Sequence, residues 1–332
     1  MSDERGAVSV VVALLMVPLI GFAAVAIDVA AMYAERSQLQ SGADAGALAI
    51  AQDCGRGTCG ATSRTAQTYA HLNLTNASST ATVTALSGSQ VTVRNSGTKQ
   101  HLFAPVLGIN STVIGTSATA AWGSPTGGTA ILPLAISWCE WQAQTGGGLP
   151  NGTTARVISL PTEAAKPTEP TEPAQPTELS EPAQPTEPTV PIEPTDKCTG
   201  PSGQAVPGGF GWLPTAPGTC ETTSRIGVQL RPSLGTTPPG GCSPADFKAQ
   251  QGKTVILPLF DASSENQYQV YGYAAFTITG YYFAGQDKWS SPCSGSESCI
   301  KGYFARLVDL SDLFTYGPSA PPLGAAIVQL TQ

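Results

Sequence analysis

Charged side chains are scarce. Asp, Glu, Lys and Arg make up 12% of the 332 residues, low for a cytosolic protein. Histidine is scarcer still, with only His71 and His101 in the whole chain. No cysteine stands in a C-x2-C pair, and no H-x3-5-H spacing exists, so the short ligand spacings that zinc requires are missing. Lys and Arg form no patch or stripe, which argues against a nucleic-acid partner. A Gly-x-Ser-x-Gly elbow is absent as well. Ser96-Gly97-Thr98-Lys99 has the Ser-x-x-Lys spacing of acyl-enzymes, but its companion Ser-Asp-Asn and Lys-Thr-Gly motifs are missing and it falls in an expected turn. "DASSEN" (261–266) and "DLSD" (309–312) lack EF-hand spacing and read as surface turns. "TGGG" (145–148) and "PGGFGWL" (207–213) read as glycine-rich turns without the strand–helix context of a phosphate site. These absences leave no catalytic, cofactor-binding or metal-binding residue to nominate and no small-molecule substrate to expect. The expectation is a protein that is not an enzyme.

What the chain does have is one long uncharged run. Ala7–Ile27 holds no charged side chain, and twelve of its 21 residues are Val, Leu, Ile or Phe. As a helix it would be about 31 Å long, the thickness of a bilayer core. The large apolar residues favour insertion by roughly 5 kcal/mol, and Pro18 and Gly21 are tolerated in spanning helices. A cleaved signal peptide, cut near Ala24-Val25-Ala26, is the rival. Against it, the apolar region is too long and "MSDER" is not basic. The apolar pattern also runs on through Val29, Met32, Tyr33, Leu39, Ala43, Gly46 and Ile50 as one helix face. A helix that continues through the cut site is a poor peptidase substrate, so spanning is preferred. Arg5 and Arg36 flank the run and do not set its direction.

Eight cysteines set it instead: Cys54, Cys59, Cys139, Cys198, Cys220, Cys242, Cys293 and Cys299. An even count without metal spacing reads as a disulfide framework in an oxidising compartment. Cys54–Cys59 and Cys293–Cys299 are close enough to close small loops. The other four can pair in three ways. The bulk of the chain is then extracytoplasmic, with a short cytoplasmic tail at 1–6 and a single pass of the cell membrane at 7–28.

The residues that follow the run suggest a family. Arg5-Gly6, the apolar span, Ala26-Ile27-Asp28-Val29, Leu39-Gln40 and Ala43-Asp44-Ala45 together resemble the N-terminal region of TadE/TadG-like proteins of Flp (tight-adherence) pilus assembly. The resemblance covers about 47 residues. It implies a membrane-anchored, pilin-like accessory component whose partners are the membrane and other pilus-assembly or membrane proteins. One departure bears on the role. Pilin-class subunits carry a Glu at the fifth position after their processing site, and counting from Ala7 that position is Val11. The resemblance therefore points to a TadG-like anchored protein rather than a fibre subunit. An anchored or secreted binding protein unrelated to pili is the other reading. The face Ala43, Gly46, Ala47 would let a second helix approach closely, either within the chain's own domain or from a neighbouring single-pass protein.

The rest reads as an α+β chain: the long transmembrane helix, a pilin-like region over 29–128, and an all-β disulfide-stapled sandwich or barrel over 129–332. In the first region "TSRTAQTYAHLNL" (62–74) reads as a helix. "TATVTAL" (80–86) and "QVTVRNSG" (90–97) read as a hairpin, "HLFAPVLGI" (101–109) as an apolar turn, and "STVIGTSATAAW" (111–122) as a strand. "AILPLAISW" (130–138), "TVILPLF" (254–260), "YQVYGYAAFTITGYYF" (268–283), "GYFARLVDL" (302–310) and "AAIVQLTQ" (325–332) read as strands. In 268–283, Tyr268, Val270, Ala274, Phe276, Ile278 and Tyr282 are expected on one face, with bends at Gly272 and Gly280. Residues 161–196 interrupt the β region with twelve triplets, ten beginning with Pro and every Glu in third place. Eight acids and one Lys give this block the whole net charge of −7. In polyproline II its carboxylates would line one edge, making a disordered spacer.

Overall fold

A computed structural model describes residues 5–74, 79–161, 198–233, 235–264, 267–284 and 287–331. The triplet block lies outside these apart from Pro161. The chain opens with α1 (Arg5–Gly55) and α2 (Thr62–Asn73). It continues with β1 (Ser79–Leu86), β2 (Gln90–Gln100), a 3-10 turn (Ala104–Leu107) and β3 (Ser111–Ala130). Next come β4 (Leu134–Ser137), α3 (Trp138–Thr145), β5 (Arg156–Ser159), β6 (Cys198–Thr199), β7 (Ala205–Val206), β8 (Phe210–Trp212), β9 (Thr222–Arg225) and β10 (Gln229–Leu230). The remainder is α4 (Pro244–Ala249), β11 (Thr254–Ser264), β12 (Gln267–Phe283), β13 (Asp287–Trp289), β14 (Ser298–Ala305), β15 (Leu307–Asp309), β16 (Phe314–Gly317) and β17 (Ala325–Thr331).

The strands form two main sheets. One runs β1-β2-β3-β17-β15, with β16 and β9 also paired to β3. The other runs β5-β14-β12-β11-β4-β8, with β10 and β13 on β12, and its path is open rather than closed into a barrel. The expected 80–86/90–97 hairpin is present as β1–β2 in antiparallel register from Ser79↔Gly97 to Leu86↔Val91. β3 is the long member. Its first half pairs with β2 from Gln100↔Ser111 to Gln90↔Ala121, and its far end, Gly127–Ala130, pairs with β9. The 128/129 boundary therefore falls inside one strand. β17 lies between β3 and β15, so residues 325–331 complete the sheet that residues 79–130 begin.

Small residues let the helices sit close on this first sheet. Ala43, Ala47, Ile50 and Ala51 of α1 and Ala66 and Ala70 of α2 pack on Val91, Val93, Ala118, Ala120 and Val328. The second sheet carries the larger core. Leu134, Ile136, Trp141, Phe210, Trp212, Phe247, Leu257, Phe276 and Phe283 pack together beneath it. Phe283 lies 5.0 Å from Trp212 and 5.0 Å from Phe247, centroid to centroid. A third cluster, including Ile256, Tyr273, Ala275, Phe314 and Ile327, draws on both sheets.

Four corrections to the sequence reading have local causes. The "PGGFGWL" segment bends only at Gly208–Gly209, with Gly209 at φ 92°, and its Phe210–Trp212 is a fully buried strand of the second sheet. In β12 the expected common face breaks. The register shifts between Ile278 and Gly280, so Tyr281 and Phe283 turn inward and the Tyr282 hydroxyl donates to the Gly295 carbonyl outside. Tyr268 and Val270 belong to other clusters because a second shift falls beside Gly272. Each one-residue shift exchanges the two faces of a strand. Asp261 sits buried in β11 rather than in a surface turn, where burial pushes its carboxyl up against the opposing N–H of Ser202. Finally, the β region contains α3 and α4. Ser137 accepts the Cys139 N–H to start α3, and Pro244 with the Ser243–Asp246 hydrogen bond starts α4.

Disulfides join Cys54 to Cys59, Cys139 to Cys198, Cys220 to Cys242 and Cys293 to Cys299. The second ties the strand leaving the triplet block to α3, while Pro161 at its entrance lies against Gly209. Both ends of the block are thereby fixed to the same β unit.

Two outcomes test this packing. Phe283→Ala removes a fully buried ring from the aromatic cluster and costs ~3–5 kcal/mol, read as a lowered denaturation midpoint. Burial pushes the Tyr273 phenol up to about 12, with its bond to Ser224 partly opposing. An unfolded tyrosine titrates near ~10. The folded state thus keeps a proton that the unfolded state loses, so stability is full below pH ~10 and falls as pH rises to ~12. Tyr273→Phe flattens that fall in a pH series of unfolding curves.

Candidate functional site

The residues of the motif gather along one line, the contact between α1 and the first sheet. Val10 to Ile27 make no core: their side chains are exposed to the surroundings. At Asp28 the helix meets the head: Asp28 is buried, and from there one face turns inward at Glu35 and Leu39 while Val29 and Tyr33 stay exposed on the other. The Asp28 carboxylate accepts three successive backbone N–H groups, Leu102 on Oδ1 at 2.8 Å and Phe103 and Ala104 on Oδ2 at 3.0 and 2.7 Å. These are the unpaired donors at the start of the 3-10 turn, so a carboxylate from another element caps it.

Further along, the Lys99 ammonium lies 3.4 Å from Glu35 Oε2, whose carboxyl is almost wholly buried. Asn95, fully buried on β2, donates from Nδ2 to the Leu39 carbonyl at 3.1 Å. Leu39 itself packs with Leu74 and Ile114. Gln40 donates to Asp44 at 2.8 Å and to the Ser117 carbonyl at 3.2 Å. Ala43 is buried on the sheet and Ala45 is half-buried. Arg5 and Gly6 lie in the first turn of α1, at its opposite end.

The small-residue face is used within the chain. A Cβ placed on Gly42 would stand 2.8 Å from Asn95 Nδ2 and 3.2 Å from the Ala70 Cα, and one on Gly46 would stand 3.4 Å from the Ala66 Cα. The face Ala43, Gly46, Ala47 is buried by α2 and the sheet, which leaves no room there for a helix from another protein.

The Ser-x-x-Lys pattern lies in β2, not in a turn. Three apart on a strand, Ser96 and Lys99 fall on opposite faces. Ser96 Oγ donates to the Thr80 carbonyl while Lys99 faces Glu35, so the two do not form a nucleophile–base pair. His71 contacts Gln67 and His101 contacts Thr112 Oγ1. Among the described residues no three His, Cys, Asp or Glu side chains are grouped to hold a metal ion. An open depression of ≈ 570 Å³ beside Asp261, Tyr271 and Pro321 has Asp261 as its one carboxylate.

The deciding observation is how far the motif and the grip coincide. Residues 6–53 match the family model described as "Putative Flp pilus-assembly TadE/G-like". No curated protein and no solved structure matches the chain. The TadE/G-like segment is α1 almost from end to end. Among the described residues, α1 is the one helix long and apolar enough to cross a bilayer. The partners of the TadE/G-like segment were not legible beforehand. Asn95, Lys99 and the amides of 102–104 are 56 to 76 residues away from the atoms they bind.

Asp28→Asn replaces one acceptor oxygen with an NH2 that faces a backbone N–H. Faster amide exchange at Leu102, Phe103 and Ala104 is expected, with the second sheet unaffected. Gly42→Val forces α2 and Asn95 away from α1 and costs ~1–3 kcal/mol, measured by chemical unfolding.

Proposed function

We propose that this chain is a membrane-anchored, non-catalytic accessory component of Flp-type pilus assembly, of the TadG-like kind. Residues 7–28 cross the cell membrane once, residues 1–6 remain cytoplasmic, and the disulfide-bonded head stands outside. The observation that carries this reading is the division of α1 into an uncovered apolar part and a part locked into the head. A helix of 51 residues measures about 77 Å, enough to cross a bilayer and still form the spine of an external domain. Val11, where a fibre subunit would have Glu, supports an anchored role over polymerisation. The triplet block serves as a spacer or surface insertion, with its ends held by Cys139–Cys198 and the Pro161–Gly209 contact.

Full-length protein is expected to stay with membranes through alkaline carbonate extraction, with an intact mass that retains residues 7–27. A mass beginning after Ala26 would refute the anchor. Pull-down of detergent-solubilised full chain is expected to recover pilus-assembly components. Recovery of only unrelated envelope proteins would favour the anchored binding protein instead.

A further inference from the structure

The turn between β2 and β3 is apolar at its tip and unpacked. Val106 is 90% exposed, Leu107 72% and Leu102 71%, with Phe103 and Ile109 also open. Soluble surfaces carry such residues singly, and a cluster of them marks a contact. Residues 101–110 include no Asp, Glu, Lys or Arg.

Three features identify what covers it. First, the Asp28 carboxylate ties Leu102, Phe103 and Ala104 to the first residue beyond the uncharged run of α1. The tip therefore lies level with the end of that run and continues its apolar surface. Second, the turn pairs most of its backbone donors within the chain. The amides of Leu102, Phe103 and Ala104 go to Asp28. Those of Val106, Gly108 and Ile109 go to the carbonyls of Phe103, Pro105 and Ala104, and Pro105 has no N–H. A segment with most of its donors already paired gives up few hydrogen bonds to water on entering the headgroup–acyl boundary. Third, β2 runs down towards Asp28 and β3 returns from it. Lys99 faces Glu35, Asn95 faces Leu39, and β3 reaches β9 only at its other end. The tip is thus the end of the head nearest the span.

We infer that the 101–109 turn dips into the lipid of the bilayer that α1 crosses, on the head side. It is a second membrane contact beside the helix, reaching the boundary between headgroups and acyl chains, on the order of 5–10 Å deep. This rests on the reading of α1 as a spanning helix. Two attachments joined by Asp28 would fix the angle at which the head stands on the membrane.

The test uses full-length oxidised protein reconstituted in phosphatidylcholine–phosphatidylglycerol vesicles. All eight native cysteines are paired, so one added thiol can carry an environment-sensitive fluorophore. Labels go at Val106→Cys, at Leu14→Cys within the span, and at Val228→Cys, just past β9 at the far end of β3. Phosphatidylcholine bearing a nitroxide high on its acyl chain is the quencher. The Val106 label is expected to lose most of its emission and shift to the blue, while the Val228 label does neither. A Leu14 label quenched by nitroxide deep in the chain, with Val106 behaving like Val228, would overturn the inference and leave the anchor standing. An unquenched Leu14 label would remove the anchor, and this inference with it. A blue-shifted Val106 label that lipid nitroxide does not quench would mean a protein partner covers the turn, which also overturns it. Leu107→Cys repeats the measurement should the Val106 variant fail to fold.

Discussion

One helix has to suit two surroundings, and the carboxylate of Asp28 stands where they meet. On one side α1 offers a run without charge, whose large apolar side chains from Val10 to Ile27 are exposed. On the other it offers alanine, glycine and a few polar groups that a sheet accepts. A buried carboxylate is costly unless its oxygens are satisfied. The turn at 102–104 satisfies both oxygens while needing an acceptor for its own first amides. Neither group is stable in place without the other, so helix and sheet are fixed in one relative position. The Lys99–Glu35 pair, the Asn95–Leu39 bond and the Gln40–Ser117 bond extend that fit along the helix.

The close approach depends on what the side chains omit. Gly42 and Gly46 bring the α2 backbone within van der Waals contact of α1. That buries the small-residue face within the head, while the large apolar side chains from Val10 to Ile27 stay exposed. The bulky residues are held elsewhere. Trp141, Phe210, Trp212, Phe247 and Phe283 form the core of the second sheet, which meets the first through Tyr273, Phe314 and Ile327. A small-residue spine and an aromatic-rich head divide the labour of gripping a helix and building a stable exterior.

Much of this was legible because it is local. The uncharged run, the 62–73 helix, the β1–β2 hairpin and the strands at 254 and 325 follow from patterns a few residues long. What was hidden depends on distance or on a shift of phase. Asp28 stands out in the sequence as a charge ending an apolar run, yet nothing there names the amides of 102–104 as its partners. The face of β12 was misread because bulges beside Gly272 and at Gly280 each invert the alternation. Phe210–Trp212 looked like a turn because glycines flank it, and only the surrounding aromatics make it a strand. The TadE/G-like resemblance was readable since it lies on a single continuous helix.

The position of β17 has a consequence for biogenesis. Its seven residues occupy the slot between β3 and β15, so the sheet that clasps the helix lacks an inner member until residue 331 has been delivered. Strand pairing over some two hundred residues of sequence is slow to find. In the proposed topology, the helix would therefore be lodged in lipid well before its clasp could close. The unfinished sheet would expose open strand edges throughout that interval.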